Sequence, residues 1–145
     1  MESEQKLAVL QNVYAAAIAE TVNTYQVLGF LAAIEQRKQE RQEQTAPYML
    51  AQLGISTVED VFSRLSSIFG CANWNVEYEE SGYRAVATTC KLCALSKRMG
   101  GASPCKGWCI DPMVAMIKAL ENKANVTVES TLMNGSSCSL KVKLG

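Results

Sequence analysis

Residues 88–112 read TTCKLCALSKRMGGASPCKGWCIDP and hold four of the chain's six cysteines, Cys90, Cys93, Cys105 and Cys109. Their spacing is C-x2-C-x11-C-x3-C, and the chain has no histidine. Two cysteines separated by two residues can offer both thiolates to one metal ion, and a second close pair completes a tetrahedral set. Iron–sulfur clusters use the same four thiolates. Gly100, Gly101 and Ser103-Pro104 between the pairs let the segment turn back sharply. The second pair is spaced one residue wider than in common zinc ribbons. Zinc is the first expectation and an iron–sulfur cluster the second.

Disulfides and a nucleophilic thiol are the other uses of such a cluster. The N-terminus, MESEQKLAVLQ, has neither a basic segment nor an apolar run, which argues against a secretory signal. A cytoplasmic location follows as the expectation, and there thiols stay reduced. The most apolar stretch, 13–34, is interrupted by Glu20, Thr21, Asn23, Thr24 and Gln26, so no membrane partner is expected. Lysine plus arginine equals aspartate plus glutamate at 14 each. That balance lacks the positive footprint of phosphate-backbone binding, and nucleic acid is not an expected partner. With 145 residues, 48% hydrophobic and 19% charged, the chain is long and apolar enough to bury one core.

The elements that must position the thiols are legible in part. Leu7, Leu10, Tyr14, Ala17, Thr21, Thr24 (or Tyr25), Leu28 and Leu31 recur at three- and four-residue steps, predicting one amphipathic helix from about Glu4 to Arg37 or beyond. Its alanines suit close packing, within the chain or across a homodimer seam. The mixed-charge run EQRKQERQEQ, 35–44, reads as a solvated helix end. Thr45 before Ala46-Pro47 reads as a fresh helix start, closed by Gly54. Ser56 or Thr57 should cap a helix with Val58, Val61, Phe62, Leu65, Ile68 and Phe69 on one face, stopped by Gly70.

From Trp74 the period changes to two. WNVEYEE and Tyr83 to Thr89 form a hairpin around Glu80-Ser81-Gly82, and NVTVESTLM and CSLKVKL form another around Asn134-Gly135. Between the hairpins, Asp111 as N-cap and Pro112 at the first helical position open a helix with Met113, Met116, Ile117 and Leu120 inward. The expected fold is α+β, a single domain over 1–145. Its N-terminal helices (1–70) pack on a four-stranded, largely antiparallel sheet, whose two hairpins flank the Cys-rich loop and a helix (71–145).

The segment ESTLMNGSSCSLKV, together with the Cys-rich loop and CIDP, resembles the L-2-amino-thiazoline-4-carboxylic acid hydrolase family over about residues 71–144. It is more distantly similar to 4-vinyl-reductase-type ligand-binding domains. The resemblance matches Cys90, Cys109 with Asp111, and Cys138 after Gly135 to the family's cysteine and aspartate places, and the similarity to vinyl-reductase-type domains matches Glu129 to an acidic position that helps bind zinc in some of them. It implies either ring-opening hydrolysis of a thiazoline or a metal-stabilised enclosure for a small apolar molecule. On the hydrolase reading Cys109, Asp111 and Cys138 would be catalytic. Without histidine, the base would be Asp111, Glu129, Lys91, Lys106 or a metal-bound hydroxide. On the metal reading Cys138 joins Cys90, Cys93, Cys105 and Cys109.

Other residues near the thiols admit simpler roles. Trp108 either stacks on a ligand or shields the thiolates from water. Lys91, Lys97, Arg98 and Lys106 either lower thiol pKa values or are ordinary loop cations. Cys71, after a predicted helix, reads as a small buried hydrophobe. A purely structural zinc domain presenting its first helix to a partner protein is the remaining alternative.

Overall fold

The first 70 residues are helical, as expected, but they are cut differently. In the computed structural model, which describes residues 1–145, α1 spans Ser3–Val27, α2 Leu31–Leu53 and α3 Val58–Phe69. The single long helix expected from Glu4 onward is thus two helices. Gly29 takes φ +80°, a left-handed conformation that glycine reaches at little cost, and the chain turns there.

The inward face of α1 also differs from the expected stripe. Ala15, Ala19 and Val22 are buried, whereas Leu7, Leu10 and Val13 are exposed. The small residues mark the contact because they let backbones approach, here against α4 (Lys91–Arg98). Gln11 on the same side donates its amide to the carbonyls of Ser67 and Ile68 at 3.3 and 3.1 Å. Those are carbonyls of the last turn of α3, which have no partner within the helix.

α2 runs straight through the expected start at Thr45, with Pro47 inside it. Pro47 and Glu43 are both exposed. The Glu43 carbonyl that proline leaves unpaired can therefore take water, which keeps the interruption mild. α3 begins as expected, with the Thr57 hydroxyl accepting from the Asp60 N–H at 3.2 Å, and Gly70 closes it at φ +66°.

The sheet is four-stranded and antiparallel throughout, in the order β1-β2-β4-β3. β1 is Asn75–Glu79, β2 Gly82–Ala87, β3 Asn125–Ser130 and β4 Cys138–Lys143. The fold is α+β. In register, Ala85 faces Leu140 and Tyr83 faces Val142, so these side chains share the inner face with Val76. α3 and α5 (Asp111–Leu120) cover that face. Phe62, Met113, Ile117 and Leu140 are wholly buried between the layers, each contributing about 1.5–3 kcal/mol. On the outer face Arg84 pairs with Glu79 and Glu129, both at 2.6 Å.

Two turns depart from expectation. β3 and β4 are joined by residues 131–137, with the Asn134 and Gly135 N–H groups both donating back to the Thr131 carbonyl, so no tight two-residue turn forms at Asn134-Gly135. Asp111 is not an N-cap, because a π-helical turn, Lys106–Ile110, feeds straight into α5.

Candidate functional site

All six cysteines line one cavity of about 280 Å³. Each is brought there by a different local device. Cys90 is the N-cap of α4, and its Sγ accepts the Cys93 N–H at 3.5 Å, which is the knuckle the C-x2-C spacing implies. Cys93 lies in the first turn of α4. Cys105 immediately precedes the π-helical turn and Cys109 lies within it. Cys138 opens β4 opposite Ala87 of β2. Cys71, just past α3, is tied in by backbone: the Lys91 N–H donates to its carbonyl at 2.7 Å, and Ala72 bridges to Cys90.

The thiols of Cys93 and Cys105 are buried and 3.6 Å apart. Two thiolates on one tetrahedral zinc, with bonds of about 2.3 Å, would stand about 3.8 Å apart, so this pair fits two corners of such a site. No group of three or more cysteine, aspartate or glutamate side chains is arranged to hold a metal ion as the chain stands. The fit is therefore for two ligands, with the other thiols nearby.

Proton sharing divides the thiols. Cys93 can give its S–H to either neighbour when that neighbour is ionised. This holds Cys90 down to about 6 and Cys105 down to about 7, while the Cys93 thiol itself is pushed far up. Burial raises the remaining three, Cys71 to about 11, Cys138 to about 12, and Cys109 well above the ordinary value of 9.0. Charges on the other thiolates push Cys109 and Cys138 further in the same direction.

The remaining wall comes from the helices. Tyr14, Lys38, Gln42, Met49, Leu53 and Phe69 line the cavity from α1, α2 and α3. Burial raises the Tyr14 hydroxyl to about 12. Lys38 Nζ lies 4.8 Å over the ring of Trp108, which also lines the cavity and stacks on Tyr25 at 6.3 Å. Gln42 donates its amide to the Gly107 carbonyl at 3.2 Å, bracing the π-helical turn against α2.

The acids named from the sequence lie elsewhere. Asp111 accepts from Lys106 Nζ at 2.8 Å, and neither residue lines the cavity. Glu129 is held by Arg84 and by the Ser139 hydroxyl at 2.9 Å on the outer face of the sheet. No carboxylate lines the cavity at all. Lys91 lowers the Cys71 thiol against the effect of burial, and Lys97 and Arg98 point to solvent.

Sequence reasoning missed Lys38, Gln42 and Cys71 as cavity residues. Lys38, Gln42, Met49 and Leu53 fall at helical spacing on one face of α2. That signal appears only if the helix is followed through Pro47. Among known proteins, no family profile, curated protein or solved structure matches the chain.

Proposed function

We propose that the chain is a cysteine-lined binding domain that holds a thiophilic metal ion, zinc before an iron–sulfur cluster, beside a pocket for a small molecule. The observation that carries this reading is the convergence of all six cysteines, from separate elements, on one cavity free of carboxylates. A soft thiolate set selects zinc or iron–sulfur over hard, oxygen-seeking cations. Cys93 and Cys105 would form the first two corners, with Cys90 and either Cys109 or Cys138 drawn in on loading.

The hydrolase reading is weaker. Asp111 and Glu129 are engaged outside the cavity, leaving a thiolate nucleophile with no carboxylate and only Lys38, Tyr14 or another thiol to move protons. Anaerobic purification with elemental analysis and an absorption spectrum tests the proposal. About one zinc per chain in colourless protein, or iron with visible sulfur-to-iron bands, supports it. Six titratable thiols and no bound metal would overturn it.

A further inference from the structure

Lys38 is the one lysine, arginine, aspartate or glutamate among the side chains that line the cavity. It makes no salt bridge. Its ammonium is partly removed from water and lies over Trp108, and both effects of its surroundings, burial and the nearby Arg41 charge, disfavour its charged form. The cation acting on a cavity thiol is Lys91, at Cys71. Lys38 thus stands on the wall of a largely apolar chamber with no carboxylate of the protein to pair with it. An unpaired, half-desolvated ammonium on a pocket wall is a seat for an anionic group of a ligand.

Size limits what that ligand is. A cavity of roughly 150 Å³ accommodates benzene. The chamber here is 280 Å³ and is walled by Tyr14, Met49, Leu53, Phe69 and Trp108. We propose that it binds a small apolar monocarboxylate, of about two rings or an equivalent aliphatic body, with the carboxylate on Lys38 and the body inside. This rests on the cavity of the reading above but not on the metal.

The test is calorimetric titration of the purified chain with 2-naphthoate and its neutral isostere 2-naphthamide. Naphthoate is expected to bind about tenfold or more tightly than naphthamide, as a charge-assisted hydrogen bond would confer. Lys38→Met should bring naphthoate down to the naphthamide affinity and leave naphthamide unchanged, while Lys38→Arg should restore the preference. Equal affinities in the unsubstituted protein, binding of neither probe, or a preference that survives Lys38→Met would each overturn the proposal. Metal content measured on the same samples separates the two readings. A naphthoate preference in metal-free protein retains this inference and removes the metal, whereas a metal-loaded protein indifferent to both probes does the reverse.

Discussion

Replacing Cys105 by serine isolates what the closest thiol pair contributes. The substitution changes little in volume but removes a soft donor from a buried position 3.6 Å from Cys93. A structural zinc site binds with about 10–16 kcal/mol, so each of four thiolates supplies about 3 kcal/mol, or about a hundredfold in affinity. Cys105→Ser should therefore weaken zinc by about two orders of magnitude in competition with a chromophoric chelator. Cys71 is the internal control. It lines the same cavity, but its thiol is directed to the Phe69 carbonyl at 3.8 Å, and Cys71→Ser should leave zinc affinity unchanged. Circular dichroism should show both variants folded. Zinc affinity that is unaltered in Cys105→Ser, or equally reduced in the two variants, would refute the assignment of the Cys93–Cys105 pair as the seat of the ion.

Three further outcomes are expected. Mild oxidation of metal-free protein should link Cys93 to Cys105 before any other pair, because their sulfurs need close only from 3.6 Å to a bond of about 2.05 Å, and peptide mapping should find that crosslink suppressed by zinc. Metal-free protein should lose stability above about pH 9 in denaturant titrations. The unfolded chain's thiols ionise near 9.0, whereas Cys71 and Cys138 keep their protons to about 11 and 12, so the folded state retains protons that the unfolded state has lost. Phe62→Ala should cost about 3–5 kcal/mol in equilibrium unfolding, since Phe62 is wholly buried and packs edge-on to Trp74 at 5.4 Å.

The strands were legible because their signal is local. Trp74, Val76 and Tyr78 alternate with polar residues, and the pairing of Val76 with Ala85 follows from the Gly82 turn. The ends of α3 are likewise local signals, the Thr57 hydroxyl at its start and the left-handed backbone of Gly70 at its end. Long-range choices were not written that way. The same apolar spacing runs through Gly29, so only its positive φ reveals the break between α1 and α2. Pro47 signals a helix start in most contexts, and it continues a helix here because the carbonyl it strands faces water. Cys90 with Cys93 and Cys105 with Cys109 are close in sequence, and the two pairs line one cavity. Cys71 arrives through the bridge of Ala72 to Cys90, a contact 18 residues apart in sequence that no spacing rule encodes.

The two walls of the cavity come from opposite halves of the chain. Every cysteine lies at or beyond residue 71, whereas Tyr14, Lys38, Gln42, Met49 and Leu53 all lie before it. The sulfur atoms and the wall that faces them are thus encoded in separate stretches of sequence. Substitutions at 49 and 53 on the inner stripe of α2 should redraw the shape of the cavity, whereas changes at 42 would also reach the Cys109 turn that Gln42 braces. The wall opposite the thiols can thus drift in one helix independently of the cysteines, and a library confined to 38, 49 and 53 would alter that wall without replacing a sulfur or the Gln42 brace.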